Sequence, residues 1–232
     1  MLPLDRAPKT GLADVRLIAT DVDGTLTQAE CFRPELLAAL NALQQGSIPV
    51  LLVTGRSAGW VDALRHYLPV VGAIAENGGV FLPGDRADIQ VLPAITGEHR
   101  QKLAAFFARL QQAFPQLQEA TDNAFRLTDW TFDVTRLTAA DLTALAARCE
   151  AAGWGFTYST VQCHIKPLGQ DKATAISQVL AQAFPHLQVS EVLTIGDSPN
   201  DESMFDRARF PWSVGVANLA SYRERLTHLP TY

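Results

Sequence analysis

The stretch VRLIATDVDGTLT, residues 15–27, carries an apolar run, Val15 to Thr20, that ends on Asp21, Asp23 and a Gly-Thr turn. A short apolar run closed by polar and glycine residues is the pattern of a strand buried on both faces of a parallel sheet. Three more runs behave in the same way: Ile48 to Val53 leads into TGR, Val70 to Ala75 into ENGG, and Glu191 to Ile195 into GDSPND. Between the first two, Pro34 opens a segment with Leu36, Leu37, Leu40 and Leu43 at helical spacing, and Gly46 stops it. Ala173 to Phe184 offers a second crossover helix before the strand at Glu191. The fold class is therefore α/β, a Rossmann-like parallel-sheet core.

The middle of the chain has a different texture. Glu98 to Phe114 and Thr138 to Ala152 have helical patterns, Phe125 to Val134 is strand-rich, and Phe156 to Ile165 is extended. Thr138 and Asp141 form a variant capping box, and Gly153 fits the end of that helix. The expected organisation is a discontinuous core of residues 1–82 and 166–232, with an inserted α+β cap domain over 83–165.

With 232 residues, 47% of them hydrophobic, the chain can bury a sizeable core. A formal charge of −5 and the lack of a dense Lys/Arg tract argue against nucleic acid or an anionic membrane as partner. Cys31, Cys149 and Cys163 are scattered without metal-site or disulfide spacing, which fits a reducing cytoplasm. No leader-like apolar segment opens the chain, and no run approaches the roughly 20 residues needed to span a bilayer. A soluble, unexported cytoplasmic protein is expected; its oligomeric state is left open.

In an open parallel sheet, the loops at the carboxyl ends of the strands share one crevice. Asp21, Asp23, Thr54, Asp197 and Asp201 all fall at such ends. Carboxylates gathered in one place repel each other and resist desolvation, so the pattern calls for a hard cation such as magnesium and a nearby lysine, for which Lys172 is the leading candidate.

DVDGTLT at Asp21, TGR at Thr54, DKATA around Lys172 and GDSPND at Asp197 together resemble the four motifs of the haloacid dehalogenase superfamily. Their order, with the insertion between the second and third, resembles the large-cap class known as Cof-type or sucrose-phosphatase-like. ENGG at Glu76 and the series FDV, YS, His164 and DKA are most similar to archaeal-type phosphoglycolate phosphatases. The resemblance implies a phosphatase in which Asp21 attacks phosphorus and Asp23 protonates the leaving oxygen, then activates water. It further implies a Mg2+ held by Asp21, the Asp23 carbonyl and Asp197, with Asp201 either a ligand or a support. Thr54, Gly55, Lys172 and Asn200 would hold the phosphate. For specificity the residues to consider are Arg56, His164 and Arg126, the last matched to an arginine of the phosphoglycolate phosphatase pattern and expected to meet a substrate carboxylate. The pattern also implies a further stretch after Tyr232, which leaves truncation of the C-terminus open.

Each piece has a plainer reading. DxDG, TGR and GDSPND are all ordinary turn chemistry when taken singly, and Lys172, Arg56 or Arg126 could be solvated or paired surface charges. The four together, three of them at strand ends, favour a phosphoryl-transfer site acting on a small phosphorylated metabolite such as phosphoglycolate. A sugar-phosphate phosphatase or a phosphomutase would use the same residues. A receiver domain or a catalytically silent metabolite-binding domain would need neither a leaving-group acid nor a cap.

Overall fold

The computed structural model describes residues 2–7, 12–85, 87–159 and 161–232. Its larger sheet is built on β1 (Leu17–Thr20), β2 (Val50–Val53), β3 (Gly72–Ala75), β4 (Val80–Pro83) and β5 (Gln90–Val91). The smaller sheet follows in sequence, and the chain returns to the larger one late, as β9 (Val192–Gly196) and β10 (Trp212–Gly215). The order is β10-β9-β1-β2-β3-β4-β5, with parallel pairing from β10 to β3 and antiparallel pairing beyond it. Because β1 is flanked by β2 on one side and β9 on the other, the chain switches direction across the sheet beside β1. That switch point opens a crevice at the carboxyl ends of the strands.

Alternate residues of the parallel strands face opposite layers, as strand geometry requires. Leu17, Ala19, Leu51 and Val53 pack with Ile176 and Val179 of α5 (Lys172–Ala183). Val50, Leu52 and Ala73 pack on the other face, with Leu40 of α1 (Pro34–Gln45) and Val61 of α2 (Ala58–Tyr67). Burial on both faces explains why these strands read as unbroken apolar runs.

The smaller sheet is antiparallel, in the order β6 (Trp130–Asp133), β8 (Gln162–Pro167), β7 (Trp154–Tyr158). Helices α3 (His99–Ala113) and α4 (Ala139–Ala151) cover one face, where Leu103, Phe107, Leu145 and Cys149 enclose Phe132, Cys163 and Ile165. The Thr138–Asp141 capping box is present at the start of α4. Burial pushes the Cys149 thiol up to about 12, so it behaves as a small apolar side chain.

Several boundaries differ from the sequence reading. The larger sheet does not stop at residue 82: ENGG turns the chain back into the β3–β4 hairpin, and Val91 pairs with Val80. The smaller sheet runs to Pro167, past residue 165. Phe125 to Val134 holds only one short strand, because Thr121–Phe125 winds into a 3-10 turn ahead of it. The extended stretch at Phe156 to Ile165 is two paired strands. Strand β10 was not anticipated; its Trp212 stacks on Tyr232, ring centroids 6.4 Å apart, and Tyr232 hydrogen-bonds to Ser213 and Gly215. Among the described residues no helix is long and apolar enough to cross a membrane.

Phe132 is fully buried between Phe107 and Phe156. Phe132→Ala should lower unfolding free energy by about 3–5 kcal/mol, the usual cost of removing a buried phenyl ring. Denaturant titration followed by tryptophan fluorescence measures it; a loss under about 1 kcal/mol would mean the smaller sheet collapses around the gap.

Candidate active site

Asp21 follows β1 directly, its amide donating to the Ile195 carbonyl at 2.9 Å, so the β1–β9 ladder fixes where its carboxylate points. Lys172, the first residue of α5, is completely buried and reaches Asp21 Oδ1 at 2.7 Å and Asp201 Oδ1 at 2.5 Å. Asp171 caps the helix by accepting from the Thr174 amide, which sets the register that aims Lys172 inward. Asp201 Oδ2 accepts from the amides of Asp197 and Ser198, at 2.8 and 3.1 Å. Burial disfavours the Lys172 ammonium, but Asp201 and Asp21 outweigh it and hold the group above the ordinary lysine value. Burial pushes the Asp21 carboxyl well above the usual carboxylate range; Lys172 pulls it back, and Asp201 and Asp197 add to the rise.

The acidic cluster exceeds what one lysine can neutralise. Asp21, Asp197 and Asp201 can each bring an oxygen within 4.8 Å of the others. Asp197 Oδ1 is buried with no hydrogen-bond partner, an arrangement that costs several kcal/mol unless a cation meets it. Gly24, at φ 77°, leaves the space beside Asp197 open: a Cβ there would lie 2.2 Å from Asp197 Oδ2. These residues fit a hard cation. With Lys172 and two amides already on its oxygens, Asp201 is placed to support the cluster from behind.

Asp21, Asp23, Thr54, Gly55, Arg56, Asn200 and His164 line one cleft. Thr54 follows β2, and its hydroxyl accepts from the Arg56 amide at 3.2 Å. Arg56 grips both oxygens of Asp23, at 2.9 and 2.7 Å, while its guanidinium lies 4.9 Å from the centre of the Trp60 ring. Asn200 donates to Asn77 Oδ1 at 3.0 Å, which joins the loop after β9 to the ENGG turn.

That turn links the two sheets. Glu76, Asn77 and Gly78 all hold positive φ, at 55°, 52° and 99°. The conformation is costly for the first two. It directs the Glu76 carboxylate onto the amides of Ala58, Leu127 and Thr128 and the Thr128 hydroxyl, at 2.7–3.1 Å. Burial raises the Glu76 carboxyl above its ordinary value, with Asp129 adding to the rise. This role of Glu76 leaves no local pattern in the sequence, because its partners at Leu127 and Thr128 lie some fifty residues away.

Arg126, expected to reach a substrate carboxylate, is buried and engaged within the protein: on Asp129 at 2.9 and 3.0 Å, Asp122 at 2.8 Å, Gln162 at 2.9 Å and the Gly55 carbonyl at 3.0 Å. The alternative of an Asp-paired arginine holds in its chemistry, but the pair lies in the interior. Asp129 also takes His164 Nδ1 at 2.8 Å. Burial works to raise Asp129, yet Arg126 and His164 outweigh it and keep the carboxyl below its ordinary value. Sequence reasoning passed over Asp129, Asp122, Gln162 and Asn77; the only local hint was an aspartate three residues after Arg126.

Removing one partner of a buried charge pair strands the other. Arg126→Ala should therefore cost about 3–5 kcal/mol of stability. Asp122 and Asp129 titrate below 3.8, so the stability they contribute is complete above that pH and is lost on acidification through their folded values. The variant should show a flatter loss below pH 3.8 when unfolding is followed against pH, and an unchanged acid limb would refute the pairing.

Comparison with known proteins follows the same lines as the geometry. A phosphoglycolate phosphatase from Thermoplasma acidophilum is 27% identical over 193 residues, covering 82% of this chain and 81% of that one. Another of that name, from Methanothrix thermoacetophila, is 28% identical over 214 residues, covering 88% and 85%. The crystal structure of Thermoplasma acidophilum 0175 superposes with a TM-score of 0.75 at 24% identity, over 94% of this chain and 92% of the other. The profile of the haloacid dehalogenase-like hydrolases matches residues 18–125 and 114–220. Those two spans take in the β1 aspartates, Lys172 and the acidic loop after β9, and the chain belongs to the haloacid dehalogenase-like hydrolase family.

Proposed function

We propose that this hydrolase is a magnesium-dependent phosphatase of small phosphorylated metabolites, with Asp21 as nucleophile and the smaller sheet with its helices serving as a cap. The observation that carries the reading is the Lys172 ammonium bound to Asp21, which lines one cleft together with Asp23. Asp21 attacks phosphorus and the bond to the leaving oxygen breaks, with Asp23 supplying that oxygen's proton. Water then attacks the aspartyl phosphate and gives its proton to Asp23, which releases phosphate and restores Asp21. Arg56 holds Asp23 by both oxygens, which fixes the position of its carboxylate. The Thr54 hydroxyl, the Gly55 backbone, Asn200 and Lys172 would hold phosphoryl oxygens.

Asp21, Asp197 and the Asp23 carbonyl would hold magnesium, with Asp201 orienting them; the ion supplies charge neutralisation at the phosphoryl oxygens. The archaeal relatives' name supports phosphoglycolate as substrate. A sugar or polyol phosphate is the second reading, favoured by the engagement of Arg126 within the protein.

Asp21→Asn should reduce turnover about 10³-fold or more without unfolding the protein, since an amide cannot form the acyl phosphate. Phosphate release from p-nitrophenyl phosphate by the purified variant at near-normal rate would reject the nucleophile. Asp23→Asn should cost about 10²–10⁴-fold on an alkyl phosphate and markedly less on the aryl ester, whose leaving group needs little protonation. Equal losses would remove Asp23 from the acid role. Chelation should abolish release and added Mg2+ restore it; full activity after exhaustive chelation would overturn the metal assignment, and release that needs an added alcohol acceptor would favour a phosphotransferase.

A further inference from the structure

We propose that His164 determines substrate specificity by accepting a hydrogen bond from a hydroxyl on the leaving group, so that the enzyme selects hydroxylated monophosphates over phosphorylated carboxylic acids. This rests on the phosphatase reading above and names the substrate class of that same site.

His164 lies in the centre of β8, paired with Thr131 on one side and Thr157 on the other, so its backbone cannot shift. Its neighbours Cys163 and Ile165 point into the apolar layer, which sends His164 to the opposite face, toward the catalytic cleft. The ring sits against the phosphate loop, with Cε1 3.2 Å from where a Cβ on Gly55 would stand. A side chain at residue 55 would press on it.

The tautomer follows from Asp129. That carboxylate is fully buried, is paired with Arg126 and stays ionised, so it can only accept. The hydrogen between it and His164 must therefore sit on Nδ1, 2.8 Å away. No described group hydrogen-bonds Nε2. Burial pushes the His164 pKa down, with Asp129 opposing and Arg126 and Lys166 adding to the fall. The ring is thus neutral at pH 7, and Nε2 presents a lone pair to the cleft.

The cationic side chains nearest this part of the cleft are engaged within the protein, Lys166 by donating to the Gln170 carbonyl. Arg126 is bound to Asp129 and Asp122, and Arg56 is held on Asp23. The Gln162 amide is occupied at both ends, its oxygen by Arg126 and its nitrogen by Asp122. A hydroxyl, by contrast, can donate to Nε2. A site built to accept a hydrogen bond rejects the ligand that cannot give one, because the buried acceptor is then left unpaired.

The test compares 2-hydroxyethyl phosphate, phosphoglycolate and p-nitrophenyl phosphate on the wild type, His164→Asn and His164→Gln. The first two differ in carrying a hydroxymethyl or a carboxylate beyond the same ester carbon. Wild-type kcat/KM should favour 2-hydroxyethyl phosphate by about tenfold. His164→Asn can still donate to Asp129 but places nothing at the Nε2 position; it should lose roughly tenfold on 2-hydroxyethyl phosphate, carried mainly by KM, and clearly less on the aryl ester. His164→Gln, whose amide oxygen can reach that position, should recover part of the loss. Thermal melting checks that each variant is folded; where one is not, the wild-type preference and the other variant decide. A wild-type preference for phosphoglycolate, or equal losses on all three substrates, would overturn the assignment. No aryl phosphate hydrolysis by the wild type would instead refute the phosphatase reading, and this inference with it.

Discussion

A lysine ammonium sealed from solvent between two carboxylates is the constraint around which the rest of the molecule is arranged. Isolated in the interior, the charge on Lys172 would cost several kcal/mol, and so would those on Asp21 and Asp201. Together they are tolerable only if the geometry is held closely, and three separate elements hold it. Strand β1 fixes Asp21, the capped start of α5 fixes Lys172, and the turn after β9 fixes Asp201 through two amides. Since β1 and β9 are adjacent only because the chain reverses across the sheet there, topology and electrostatics impose the same requirement. The orphaned Asp197 oxygen is the remainder of that charge arrangement, and it is why the cluster suits a cation.

How much of this could be read in advance depended on the range over which each residue acts. The core strands were legible because burial on both faces writes itself as a continuous apolar run, and Asp21, Asp23, Thr54 and Asp197 were legible because each directly follows such a run. Strand β10 was not: Trp212–Gly215 is half-buried at a sheet edge and carries no such run. The role of Glu76 was also hidden, since its carboxylate is answered by amides at Leu127 and Thr128, and an amide has no signature in a sequence.

Arg126 shows the same limit from the other side. An arginine on a segment expected to cover the cleft invited a ligand contact, but Asp122 and Asp129 lie within four residues of it and claim it first. What the guanidinium reaches instead is the Gly55 carbonyl, so a residue of the smaller sheet's domain steadies the loop proposed to hold phosphate. The same aspartate that captures Arg126 also orients His164, which makes Asp129 the branch point between scaffold and cleft.

The Glu76 turn has a mechanical consequence. Its carboxylate bridges the first turn of α2 and the backbone at Leu127–Thr128, while Gln170 donates to the Glu76 carbonyl from the segment that returns to the larger sheet. These bonds converge on a single residue whose own backbone lies in the left-handed region, so separating the two sheets would strain all of them together. Loss of that one carboxylate would in turn leave three amides and a hydroxyl without their acceptor at once.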